Sequence, residues 1–349
     1  MVTITDTLPA GAPAATPQSV LVSRARWRWT EVVFWLAIIA SYFVFGDTIG
    51  LANRHQLMSE IAILALFALS LDLVLGYAGI VSLGHGAFFG LGAYTAGLAA
   101  KYGAGAGLWS DPLFGLLLGA CVAGIVGFCT SFLVLRGSDL TRLMVTLGVA
   151  LIVEELGNQM KWLTGGSDGL QGVMPGPVVG MFDFDLYGNV AFIYAGVVLF
   201  VVFWFVRRLV YSPFGVSLRA IKGNALRARS IGMPVNPRLV VVYTLGTAIA
   251  GIAGALLAET TQFASPDMLA FHRSADTLLI LVFGGAGRLY GGLVGAIVFR
   301  VMQDYIGNIT PQYWQFWLGL LLVLLVLFVR GGILGLMDNI FRKKGETRP

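Results

Sequence analysis

RRLVYSPFGVSLRAIKGNALRARSIGMPVNPR, residues 207–238, carries seven of the chain's 23 lysines and arginines and no acid. It separates two uncharged apolar runs, 190–206 and 239–258. A polar island between stretches long enough to cross hydrocarbon, about 17 to 25 residues as helix, reads as a loop at a membrane surface and as a docking element. Proline 213 and Gly215 stand ahead of a stretch expected to be helical over 216–230, and Gly232 with Pro234 ends it. Within it Phe214, Leu218, Ile221, Leu226 and Ile231 recur every three to five residues, a spacing that gives a short helix one apolar face. Arg219, Lys222, Arg227 and Arg229 would flank that face, serving acids of a partner or lipid phosphates.

The rest of the chain agrees with a bilayer as solvent. Hydrophobic residues make up 57% of the 349 and charged ones only 12%, against about 25% charged in soluble domains. Further spans are expected at 32–46, 57–75, from a glycine-broken start to about 100, at 113–135, 143–160 and 313–337. Residues 1–30 read as a disordered tail, 31–338 as the transmembrane domain and 339–349 as a basic tail. Loops rich in Lys and Arg face the cytoplasm. With the N-terminus inside, the loop 207–238, Arg136, Arg142 and the C-terminal Arg342, Lys343, Lys344 and Arg348 all fall inside, while Arg54, Lys101, Lys161 and Arg273 fall outside. Residues 275–303, with GGAGRLYGG at 284–292, satisfy this rule as two half-helices entering and leaving on one side. The expectation is an all-α integral membrane protein with about eight transmembrane helices, a re-entrant or broken-helix segment and both termini in the cytoplasm.

Few residues suggest chemistry. Cys121 and Cys129 lie eight apart on one expected helix, about 12 Å along its axis and beyond disulfide reach. Three scattered histidines offer no metal-ligand spacing, and no GxxxxGK[ST] phosphate loop occurs. No cofactor, metal or catalytic set is expected. Two glycine-rich apolar stretches, one in each half of the chain, serve either as close-packing surfaces or as the broken helices that surround a transport site. Gly84, His85, Gly86, Gly284, Gly285 and Gly287 are therefore candidates for a substrate path, although a lone histidine in apolar surroundings more often serves packing. Glu60, Asp72, Glu154, Glu155, Asp276 and Asp304 fall in or beside expected spans, where charges usually face the protein interior. Glu60 and Asp304 are expected near the membrane interfaces.

Four stretches together resemble the permease subunits of ABC importers for branched-chain and other hydrophobic amino acids: LDLVLGYAGIVSLGHGAFFGLGAY (71–94), LTGGSDGLQGV (163–173), SPFGVSLRAIKGNALRARSIGM (212–233) and SADTLLILVFGGAGRLYGGLVGA (274–296). The resemblance implies an ABC importer permease architecture in a bacterial inner membrane. It implies as partners a second permease subunit, two cytoplasmic ATP-binding subunits that hydrolyse the ATP, and an external solute-binding protein. Related permeases are associated with urea, short amides and aromatic acids as well. The resemblance makes 212–233 the ATPase-coupling loop, with Pro213, Phe214, Gly215, Leu218, Arg219, Ile221, Asn224, Ala228, Ile231 and Gly232 as its contact residues. The sequence departs from the family in having no acid near Gly223, Ala225 or Arg229. The Gly/Pro-rich stretch 164–189, with Asp168, Asp183 and Asp185 and no basic residue, is the candidate dock for the binding protein. An ion-coupled secondary carrier would also use broken helices and buried acids, but has no need of the central basic loop.

Overall fold

The computed structural model describes residue 35, residues 52–103, 110–137, 139–178, 180, 182, 184 and 188–309, and short pieces at 311–313, 315–317, 319–321, 323 and 332–335. The chain divides into two compact units, 1–50 and 51–349. Of the first only Trp35 is described, and it is helical. The expected N-terminal tail, the rest of the first span, most of the last span and the basic C-terminal tail lie outside the described residues.

In the second unit α1 (Ala52–Leu71) runs directly into a π-helical segment, Asp72–Tyr77. Non-helical backbone follows to Gly84, and α2 spans His85–Tyr102. Then come α3 (Pro112–Val134), α4 (Asp139–Gln159), α5 (Asn189–Val210), α6 (Pro213–Gly223), α7 (Ala225–Ser230), α8 (Val235–Thr261), α9 (Phe271–Gly284) and α10 (Gly291–Ile309). Among the described residues there is no strand, and four helical segments are long and apolar enough to cross a membrane: His55–Tyr77, α3, α5 and α8.

One helix, α3, is packed inside out relative to a soluble protein. On α3, Asp111 caps the first turn by accepting from the Leu113 amide at 3.0 Å, and Pro112 opens the helix. Its buried face is Gly115, Gly119, Ala123, Gly124 and Gly127, while Leu117, Ile125, Phe128 and Phe132 are exposed. Small residues inward let backbones approach, and large apolar residues outward suit hydrocarbon. The small face meets α8: a Cβ on Gly119 would touch Ala255, and one on Gly127 would collide with Thr247. On the other side of α8, a Cβ at Gly254 would run into the Phe89 carbonyl of α2. Helices α2, α3 and α8 thus form a tightly packed trio, with α1 against α8 and α5.

Two expectations change. Segment 275–303 is indeed two helices joined by a glycine turn, and they pack against each other. The second arm is no half-helix, however: nineteen residues make about 28 Å, close to the thickness of the hydrocarbon core at about 30 Å. Nor do all the acids in apolar segments face inward. Glu155 is exposed on this chain and accepts from Gln159 Nε2 at 2.7 Å; Asp304, expected near a membrane interface, is exposed too.

Candidate functional site

The basic loop folds as two helices rather than one. Asn224 is extended (φ −161°, ψ 103°), ends α6 and caps α7, its side chain accepting from the Arg227 amide at 2.9 Å. The expected stop at Gly232 is present: its φ is +82°, and the Met233 amide reaches back to the Ala228 carbonyl at 3.1 Å. Proline 213 occupies the first turn of α6. Gly215 is required by the sharp approach of α6 to the end of α5, because a Cβ there would strike the Val210 carbonyl.

The five apolar residues do not share one face. Leu218, Ile221 and Ala228 are buried on the permease itself, and Phe214 is half-buried. Leu226 and Ile231 are 75% and 67% exposed, joined by Val216. The break at Asn224 explains the split, since it resets the helical phase between α6 and α7. Inward residues hold the element to the bundle, and outward ones leave an apolar patch bordered by the exposed Arg227 and Arg229. The basic residues are also less free than expected. Arg219 donates to the Val210 carbonyl at 3.3 Å, and Arg229 to Asn236 Oδ1 at 3.2 Å.

Lys222, an exposed residue of α6, reaches back to the bundle. Its Nζ donates to the Gly76 carbonyl at 2.6 Å, inside the π segment that ends α1, and its stem lies against Gly79, whose φ is +75°. Four residues earlier, the buried Asp72 accepts from the Gly287 amide at 2.7 Å through Oδ1. Gly287 (φ +80°) sits in the turn between α9 and α10. A Cβ on Gly76 would collide with both the Asp72 carboxylate and the Gly287 amide. The surface helix, the π segment and the hairpin tip therefore meet at one node. Sequence reading marked Lys222 as a flanking charge and Asp72 as a buried acid. Their partners lie 146 and 215 residues away, beyond any local pattern.

The glycine-rich stretches converge on the two ends of α9. At its start the Gly86 amide donates to Ser274 Oγ at 2.7 Å. At its end lie Gly284, packed on Gly291, Gly285 (φ 103°) and Gly287. Gly84 approaches the Thr146 carbonyl of α4. His85 is fully buried, its ring 6.3 Å from Phe67 and 6.1 Å from Phe88. Among the described residues neither of its ring nitrogens has a hydrogen bond.

The described part of the stretch 164–189 is tethered to the bundle at Leu170 and Gly176. Leu170 and Ala264 exchange backbone hydrogen bonds at 2.8 and 3.3 Å, and the Gly176 amide donates to the Ser110 carbonyl at 2.8 Å. Asp168 is exposed on this platform. Asp183 and Asp185 lie outside the described residues. Among the described residues no group of His, Cys, Asp and Glu is arranged to hold a metal ion.

Comparison with known proteins adds to this geometry. Residues 53–328 match the family described as branched-chain amino acid transport system, permease component. The chain is 30% identical over 322 residues to the high-affinity branched-chain amino acid transport system permease protein LivM of Escherichia coli, covering 86% of this chain and 72% of that one. It is 26% identical over 294 residues to the corresponding BraD of Pseudomonas aeruginosa, covering 78% and 91%. The L-arabinose ABC transporter permease protein AraH of Azospirillum brasilense is 27% identical over 292 residues, covering 80% and 78%. No solved structure matches the chain.

Proposed function

Because this chain belongs to the permease family of branched-chain amino acid transport systems, we propose that it is the membrane subunit of an ATP-driven importer for branched-chain or other hydrophobic amino acids, in a bacterial inner membrane. It receives its solute from an external binding protein and its work from two cytoplasmic ATPases, and it pairs with a second permease. The observation that carries the reading is the node at Lys222. A subunit without a nucleotide site of its own must be driven mechanically, and α6–α7 combine an exposed apolar patch with a direct hydrogen bond into the π segment of α1. Asp72 continues that connection to the hairpin tip, and so to α9 and the substrate-path candidates at its two ends. On this reading α4, whose Leu140, Met144, Leu151 and Leu156 are exposed, faces lipid or the second permease. Asp168 belongs to the surface that meets the binding protein. The relation to an arabinose permease favours a sugar as the competing solute, and uptake measurements distinguish the two.

The test acts on the patch and spares the inward residues. With Leu226→Asp and Ile231→Asp together, the permease should still insert and bind its partner permease. Uptake and transport-stimulated ATP hydrolysis should then fall in parallel, by about tenfold or more if the lost contact is worth 1.4 kcal/mol. Unchanged rates of uptake and of transport-stimulated hydrolysis in the assembled double variant would remove α7 as the coupling element.

Topology follows from the same reading, with α6–α7 and both termini in the cytoplasm and 164–189 outside. Cys121 and Cys129 are free and exposed on α3, so replacing both with alanine should leave assembly intact and provide a background for labelling. A single cysteine at Ser167 should react with a membrane-impermeant maleimide in intact cells, and one at Arg227 only after the membrane is opened. The reverse pattern would invert the orientation.

A further inference from the structure

A cavity of ≈ 320 Å³ lies among α1, α2, α8, α9 and α10, at the small end of the range of about 300–1,000 Å³ typical of small-molecule sites. Four charged side chains line it: Glu60, Arg273, Asp276 and Arg300. Their formal charges cancel. Arg300 is paired with Glu60 and donates to Gln303 Oε1 at 3.0 Å, and Arg273 donates to Asp267 Oδ2 at 3.0 Å. Among the described residues, the buried Nε of each arginine has no acceptor, and Asp276 makes no direct hydrogen bond, although the charges of Arg273 and His272 act on it from the same helix. The remaining wall is apolar. Phe67, Phe89 and Phe299 contribute to it, each at most 3% exposed, with the Phe67 and Phe89 rings 4.6 Å apart.

We infer that this cavity binds a zwitterionic α-amino acid with an apolar side chain, its ammonium on Asp276, its carboxylate on Arg300 and its side chain against Phe67, Phe89 and Phe299. The inference rests on the importer reading above and names where the solute sits. A carboxylate in a partly desolvated site favours a neighbouring cation or a proton; Arg273 and His272 act on Asp276 from its own helix, and a bound ammonium would add a direct partner. A zwitterion brings both charges at once and leaves the balance of the four lining groups at zero, whereas an anion or a cation alone would unbalance it. An aliphatic side chain gains about 25 cal/mol for each Å² it buries on the phenyl wall. A sugar offers no charge to Asp276, and its hydroxyls facing the three rings would find no acceptor.

The surroundings support a station on a route. Phe263 also lines the cavity, and a Cβ on Gly169 would press on its ring, so the cavity abuts the pinned stretch that carries Asp168. On the far side Phe67 stacks on His85, within the first glycine-rich stretch. A solute released at the outer loop would reach the cavity first and His85 next.

Equilibrium binding to the assembled importer in lipid nanodiscs, without nucleotide or binding protein, tests the assignment with three probes. These are L-leucine, isocaproate, which lacks the ammonium, and isoamylamine, which lacks the carboxylate. On the unaltered complex, L-leucine should bind about tenfold or more tightly than either analogue, as a lost ion pair of 1.4 kcal/mol requires. Equal affinity for all three overturns the proposal without any variant. In Asp276→Asn the gap between L-leucine and isocaproate should close while that to isoamylamine persists, and in Arg300→Gln the pattern should reverse. Gaps unchanged in both variants, or displacement of L-leucine by D-ribose, also overturn it. Uptake of L-leucine by the same complex in proteoliposomes separates the two levels. Uptake with undisturbed gaps sinks the cavity assignment and leaves the importer reading standing. Absence of both uptake and binding sinks both.

Discussion

Replacing Asp72 with alanine should disconnect uptake from ATP hydrolysis more severely than any change on the exposed patch. Asp72 is completely buried, and its Oδ1 is the acceptor for the Gly287 amide at the hairpin tip. Truncation leaves that amide without its acceptor, at a cost of about 1–3 kcal/mol, and removes the carboxylate that lies among Gly76, Gly287 and the Lys222 ammonium. Each 1.4 kcal/mol is a factor of ten in an equilibrium, so the tethered position of the tip should become the minority state. Asparagine keeps a carbonyl oxygen for Gly287 and should retain a measurable fraction of transport. The comparison is made by uptake per ATP hydrolysed in proteoliposomes. Alanine performing as well as asparagine would show that the hydrogen bond to the tip carries no coupling.

Gly254→Ala should prevent the protein from accumulating in the membrane. The added methyl would collide with the Phe89 carbonyl and crowd the Ala93 amide, both backbone atoms of α2. A flexible side chain could swing aside, but here one whole helix must retreat from another. Overpacking a filled core commonly costs about 1–3 kcal/mol, and the loss should lie at or above the top of that range because α8 is also held by α3 through Gly251 and Ala255. Gly196→Ala on α5 is the control, since nothing lies within 4 Å of the added atom. That change should be neutral or slightly stabilising, as alanine favours a helix by up to about 1 kcal/mol over glycine. Yield and thermal stability in detergent decide the matter, and equal stability of the two variants would contradict the packing described for α2 and α8.

The comparison of sequence with structure divides along physical lines. The uncharged runs 113–135, 190–206 and 239–258 reappear as α3, α5 and α8, shifted at most by a few residues, because length and apolarity are what a bilayer selects. The glycine turn in 275–303 was legible for a similar reason: a GGAG run is costly to hold in a helix, and the chain turns after Gly284 although Gly291 and Gly292 go on to open α10. The burial of Leu218 and Ile221 and the reach of Lys222 to the π segment were not. Periodicity identifies apolar residues but does not say whether the permease or a partner covers them, and the phase change at Asn224 depends on a cap that several other residues could have provided. The cavity charges were visible one at a time. Glu60 looked like an interfacial acid and Asp276 like one more buried carboxylate, because their meeting with Arg300 depends on how α1, α9 and α10 pack.

The π segment at Asp72–Tyr77 gives this molecule a torsional degree of freedom. A π turn closes its hydrogen bonds one residue later than an α turn, so the backbone here holds more residues per turn than the helix leading into it. Tightening it to α pitch would rotate whatever follows by up to about 100° per residue released. Asp72 lies at the head of this stretch and the Gly76 carbonyl near its tail. Any such rotation would swing Gly76 away from Lys222 while Asp72 kept its hold on the hairpin tip. By the same geometry, a pull on Lys222 would act on α1 as a torque rather than as a push along its axis.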